Sequence, residues 1–159
     1  MKGRYPGRFQ KGPTSMHTAP EKRRFARHPV SVPLEYVVLP EGGNRRDQVS
    51  RDLSRNGISF PCTAPPPVGA RILIRIRVGG VLFEVEGRVV RIAREERGWL
   101  VGVAFDSSRA WYRARMVEQI CHIEAWRKAQ EEKGRRLTFS QAAEEWIRKK
   151  ASTFPPAVP

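Results

Sequence analysis

Residues 71–78 read Arg-Ile-Leu-Ile-Arg-Ile-Arg-Val, followed by Gly79-Gly80 and then Val-Leu-Phe-Glu-Val-Glu. Ile72, Ile74, Ile76 and Val78 alternate with Arg71, Leu73, Arg75 and Arg77. A period of two belongs to a β-strand, whose successive side chains point to opposite faces. Three of the four residues on one of those faces are arginine, so that face stays in water while the aliphatic one is buried. Two glycines suit a two-residue hairpin turn. Val81, Phe83 and Val85 resume the alternation on the return. The hairpin needs a partner layer for one face only, which points to an antiparallel sheet with one wet side.

The same period recurs elsewhere. Val30, Val32, Leu34, Tyr36 and Val38 form a first strand, and 40–44 (Pro-Glu-Gly-Gly-Asn) turns the chain. Further strands are predicted over 48–54 and 57–61, with a loop at 64–67 (Ala-Pro-Pro-Pro). Beyond Gly87 the apolar phase shifts through Val89, Val90 and Ile92, which predicts a bulge. Trp99, Val101, Val103 and Phe105 close the series. Six strands with short connections, and no helical pattern between them, predict a mainly β fold. Closure into a small antiparallel barrel removes the sheet edges.

Helix follows. No Gly or Pro occurs from 109 to 133, Asp106, Ser107 or Ser108 offers a cap, and Gly134 a stop. Tyr112, Met116, Ile120 and Ile123 form an apolar stripe, widened by Val117, Cys121 and Trp126. A shorter helix is predicted from Thr138 or Ser140 to Ala151, opened by a capping box at 138–141 and barred from continuing by Pro155-Pro156. Ala142, Ala143, Trp146 and Ile147 make its apolar face. The first stripe is wider than one barrel contact needs. It predicts an association surface, for a partner protein or a second copy. The alternative is that the second helix folds back over the short 134–137 link.

The sequence therefore predicts a flexible basic arm (1–20), a barrel domain (21–108) and a helical extension (109–159). Thirty Lys/Arg against sixteen Asp/Glu give a net charge of +14 over 159 residues. The excess is terminal: residues 1–29 hold eight basic residues against one acidic, and 109–159 eleven against six. The span 30–108 is nearly balanced, with eleven against nine. Such a field attracts polyanions. The longest apolar run, 99–105, has seven residues, whereas a membrane helix needs about twenty. The N-terminus carries no apolar core of the secretory kind. Two cysteines, Cys62 and Cys121, cannot supply a disulfide framework. These features predict a reduced, cytoplasmic protein without a transmembrane segment.

Catalytic chemistry finds little support. His17, His28 and His122 are scattered, and no metal-ligand spacing, P-loop or G-x-S-x-G occurs. Glu84 and Glu86 share a strand face, which reads as a solvated charged face. Two other segments stand out. Arg23-Arg24-Phe25-Ala26-Arg27 precedes the first strand, and Asp52-Leu53-Ser54-Arg55-Asn56-Gly57 lies between strands two and three. Guanidinium groups fork onto phosphate oxygens or onto the O6/N7 edge of guanine. Asp52 and Ser54, two apart in an extended chain, share a face. A carboxylate beside a hydroxyl can both accept from and donate to a base edge. Gly57 is expected to supply a positive φ for the turn. Taken alone, the segments read more readily as an ordinary charged run and an ordinary strand–turn–strand.

Together and in this order they resemble the signature of the PilZ domain family, R-x-x-x-R followed by [D/N]-x-S-x-x-G. Arg23 and Arg27 fill the first motif; Asp52, Ser54 and Gly57 fill the second, and 102–105 (Gly-Val-Ala-Phe) matches the family's G-V-x-F element. The resemblance covers about residues 21–108. It implies a six-stranded antiparallel PilZ-like barrel that binds cyclic di-GMP and has no enzymatic activity. It assigns Arg23 and Arg27 to phosphates and guanine Hoogsteen edges, Asp52 and Ser54 to guanine, and Gly57 to the turn. Lys22, just before the motif, and Arg24, within it, are candidate further contacts. The R-x-x-x-R stretch is implied to close over ligand. A different class of reading, a nucleic-acid-binding barrel with basic arms, accounts for the charge but not for the Asp52/Ser54 spacing. It also lacks repeated exposed aromatics for stacking bases.

Overall fold

The computed structural model describes residues 26–40 and 43–150. It contains eight strands and two helices. In chain order the strands are β1 (His28–Pro29), β2 (Pro33–Leu39), β3 (Arg46–Val49), β4 (Asp52–Leu53), β5 (Gly57–Cys62), β6 (Arg71–Val78), β7 (Val81–Glu95) and β8 (Gly98–Phe105). Helices α1 (Ala110–Glu132) and α2 (Phe139–Lys150) follow. All strand pairs are antiparallel, in the order β1-β4-β5-β8-β7-β6-β2-β3.

The expected six strands become eight for two reasons. A two-residue strand precedes the first, and the strand expected over 48–54 is broken at Ser50. The break closes the sheet. β3 pairs with β2, while β4, two residues further on, pairs with β5 at the other end of the strand order. Ser50 Oγ donates to the Val30 carbonyl and accepts the Val32 amide at 2.9 Å. Arg51 N donates to Ser59 O at 2.7 Å. One run of chain thus serves both ends of the curled sheet.

The period-two pattern sorts the faces as expected. Ile72, Ile74, Ile76 and Val78 are all fully buried, together with Val32, Phe60 and Val89. On the wet face, Arg75 pairs with Glu84 at 3.0 Å and Arg71 with Glu86 at 2.7 Å, so the two glutamates are half of a cross-strand ion-pair ladder. Gly79-Gly80 makes the turn, with Gly79 at φ +61° and Val78 paired to Val81. The bulge lies between Val89 and Arg91.

Tyr36 is buried against Phe60, and its hydroxyl meets Cys62 Sγ at 3.5 Å. Loss of water, reinforced by the Cys62 contact, pushes its pKa from 10.0 up to about 12. The fold therefore favours the neutral phenol. Its contribution is complete below the unfolded pKa, near 10, and is lost as pH rises through the folded value of about 12. Tyr36→Phe should lessen the fall in urea midpoint across that alkaline window; an unchanged slope would contradict the assignment.

The helices settle the fate of the apolar stripe. Met116, Val117, Ile120 and Ile123 are buried in one core with Phe139, Ala142, Ala143 and Trp146. Helix α2 folds back on α1, so the stripe expected as an association surface is covered within the chain. Thr138 and Gln141 form the capping box reciprocally, at 2.9 and 3.1 Å. Gly134, at φ +83°, ends α1, and the Arg135 amide reaches back to Gln130 O at 2.9 Å. The start of α1 differs from expectation. Its cap is Arg109, in the left-handed region at φ 55°, with no side-chain cap bond. The Arg109 guanidinium lies 4.2 Å from the Tyr112 ring centre instead. Among the described residues, no helix is long and apolar enough to cross a membrane.

Candidate functional site

Strand pairing brings four residues into one row on the outer face of the barrel. Asp52 (β4) is paired with Ser59 (β5), Ser59 with Gly102 (β8), and Gly102 with Arg91 (β7). Directly paired residues share a face. The neighbouring row, Leu53, Ile58, Val103 and Val89, points inward and is buried. With strands about 4.8 Å apart, Asp52 and Arg91 stand roughly 14 Å from each other along the row. Gly102 leaves the middle of this row flat: a Cβ there would come within 3.4 Å of Arg91 Cβ. The bulge decides which residue ends the row. It leaves Val90 unpaired and sets Arg91 opposite Gly102.

The row floors a cleft of about 340 Å³ whose lining also includes Arg27, Ser54, Asn56 and Gly57. Arg27 arrives by way of β1, where His28 pairs with Leu53 and Pro29 with Asp52. Val30 then anchors the chain: it is buried, and its amide donates to Arg51 O at 3.1 Å. Residues 25 apart in sequence, Arg27 and Asp52, are thereby made to line one cleft. Among the described residues, the guanidiniums of Arg27 and Arg91 and the carboxylate of Asp52 make no side-chain hydrogen bond, and the charge nearest Asp52 is that of Arg51, next to it in sequence.

Ser54 and Gly57 both line the cleft, and Gly57 differs from expectation in how it works. Ser54 lies just outside β4. Its hydroxyl oxygen accepts the amides of Asn56 and Gly57, both at 3.2 Å, so it builds the turn. Gly57 does not have a positive φ. It is glycine because β5 and β8 approach too closely for a side chain: a Cβ would lie 2.2 Å from Val103 O. Lys22, Arg23 and Arg24 lie outside the described residues. Arg91, Asn56 and Ser59 were not among the sequence candidates. Arg91 carries a signal, being the residue displaced by the apolar phase shift after Gly87.

An acid at one end, a guanidinium at the other and a flat floor of Ser59 and Gly102 between them suit a planar, polyfunctional anion. Asp52 can accept from a base edge. Arg91 and Arg27 can donate to phosphate oxygens or to the acceptor edge of guanine.

The sequence matches the family described as PilZ domain over residues 21–120. The chain belongs to the PilZ domain family. Solved structures with a similar fold include Escherichia coli YcgR in complex with c-di-GMP, at 17% identity and TM-score 0.56, covering 72% of this chain and 51% of that one. They also include the Bacillus subtilis inhibitor of motility (MotI/DgrA), at 14% identity and TM-score 0.53, covering 62% and 48%. The K. pneumonia MrkH–c-di-GMP complex is similar at 13% identity and TM-score 0.53, covering 68% and 56%. This chain therefore matches about half the length of each of these three. At such identities the likeness is one of fold. No curated protein matches the sequence.

Proposed function

We propose that this protein is a non-enzymatic cyclic di-GMP receptor that passes the occupancy of its cleft to a downstream partner. The observation that carries this reading is the Asp52–Ser59–Gly102–Arg91 row with Arg27 beside it. Cyclic di-GMP has two phosphodiesters and two guanines. Each guanine offers acceptors at O6 and N7 and donors at N1 and N2. In this reading Arg27 binds phosphate and a Hoogsteen edge, Arg91 binds at the far end of the row, and Asp52 accepts from a guanine donor edge. Ser54 offers its hydroxyl to guanine beside Asp52, and with Gly57 it holds the turn that forms one wall. Arg23 joins Arg27 by the family motif, with Lys22 and Arg24 as further basic contacts. The reading carries with it a cytoplasmic location. The basic helical region, rather than an open apolar stripe, is the surface left for a partner.

Calorimetric titration of the full chain tests the reading. Cyclic di-GMP should bind at low micromolar or better, cyclic di-AMP much more weakly, and duplex DNA or RNA should not displace it at physiological salt. No heat with cyclic di-GMP, together with tight binding of nucleic acid, would replace this reading by the nucleic-acid one. Asp52→Ala should weaken cyclic di-GMP binding and narrow its advantage over cyclic di-AMP, because adenine lacks the N1–H and N2 donors that the carboxylate would read. An unchanged ratio between the two dinucleotides would remove Asp52 from recognition.

A further inference from the structure

Among the described residues, the helical extension enters the cleft's architecture through Arg113, on the first turns of α1. Its side chain is buried, at 7% exposure, which is unusual for an arginine. Its Nε donates to the Arg55 carbonyl at 3.3 Å, and its Nη1 to the carbonyls of Asp106 and Ser108. A buried guanidinium must have its donors satisfied, and here three backbone carbonyls do so. Two of them belong to the link between β8 and α1. The third, Arg55 O, lies in the Ser54–Gly57 turn that forms a wall of the cleft.

That turn is held from three sides. Within it, Ser54 Oγ accepts the amides of Asn56 and Gly57, and Ser54 N donates to Gly57 O at 2.9 Å. On the barrel side, Phe105 N donates to Asn56 O at 2.7 Å. On the helix side, the tie is Arg113. Arg113 does not itself line the cleft, whereas Asn56, Gly57 and Ser54 do.

We propose that Arg113 is a positioning residue for the ligand cleft: its guanidinium fixes the Ser54–Gly57 turn from behind and makes α1 part of the binding unit. This rests on the cyclic di-GMP reading for its ligand, but the positioning itself can be measured without ligand. A neutral side chain of similar length leaves Arg55 O without its donor and frees the turn to shift. Lysine, with a compact ammonium in place of the planar fork, cannot meet three carbonyls in the same geometry.

The experiment uses the full chain as wild type, Arg113→Met and Arg113→Lys. Cyclic di-GMP affinity is measured by calorimetry, and amide hydrogen exchange is followed at Asn56 and Gly57 against core amides of β6 and β7. The expected result is at least tenfold weaker binding in Arg113→Met and a smaller loss in Arg113→Lys. Exchange should be faster at Asn56 and Gly57, while the β6 and β7 amides keep their protection. Wild-type affinity in folded Arg113→Met would overturn the proposal. So would uniform loss of protection or loss of fold in both variants, which would make Arg113 a strut of the whole structure. If wild type itself does not bind cyclic di-GMP, the receptor reading fails. The positioning claim is then decided by exchange alone, and it falls if Asn56 and Gly57 stay protected in Arg113→Met.

Discussion

Arg27→Ala is expected to raise the Kd for cyclic di-GMP by two orders of magnitude or more while leaving the barrel's stability unchanged. Arg27 is exposed, precedes β1, and has no partner among the described residues. Removing it takes nothing from the core. Its worth lies in bonds it would make to an anionic ligand. Charge-assisted hydrogen bonds contribute about 1.5–3 kcal/mol each, so losing two costs roughly a factor of 150 or more. Salt dependence offers an independent check, since a lost phosphate contact should also flatten the dependence of affinity on ionic strength. Retained affinity in Arg27→Ala would separate the cleft from the proposed ligand, whatever the fold.

Gly57→Ala should have the largest effect on the protein itself, about 3 kcal/mol of lost stability, at the upper end of overpacking costs. The added methyl would meet Val103 O at 2.2 Å, and Val103 O belongs to backbone that cannot rotate away. The strands must part where Gly57 pairs with Ala104 and Ile58 with Val103. The same movement carries Ser54 and Asn56 out of register with the row, so ligand affinity should fall too. Gly80→Ala is the matched control. A Cβ there meets nothing within 4 Å, and urea denaturation should place it within about 0.5 kcal/mol of wild type. Equal midpoints for the two variants would show that the β5–β8 approach is looser than described.

Arg27→Ala and Gly57→Ala probe opposite parts of what is legible in the sequence. Period-two alternation locates β2, β6, the first half of β7 and β8, because burial of one face imposes it there. The capping box at 138–141 and the stop at Gly134 were legible because both depend on chemistry within four residues. Longer-range causes were not. The division at Ser50 depends on a hydroxyl that bonds the backbone at Val30 and Val32. Gly57 was attributed to turn conformation, while its cause is Val103, 46 positions later in the sequence. The left-handed Arg109 cap has no propensity behind it. Fold-back of α2 was one of two options that local pattern alone could not separate. Arg113 stood in plain view, four before Val117 and three before Met116, as a charged residue in the inward register of an otherwise apolar stripe. A charge in that register signals buried bonding as much as it signals exposure.

The shortness of β1 has a kinetic consequence. It has two residues, both exposed, and Pro29 brings no amide hydrogen to the ladder. Just beyond it, Val30 is pinned in the core. Fraying from Arg27 to Pro29 thus has a defined stopping point and a low energetic threshold, far below that of unfolding the barrel. The two-residue pairing with β4 can open and re-form while the barrel stays folded, carrying Arg27 with it. Capture of ligand would then run at the speed of a latch rather than of a domain, with release governed by how long that latch stays shut.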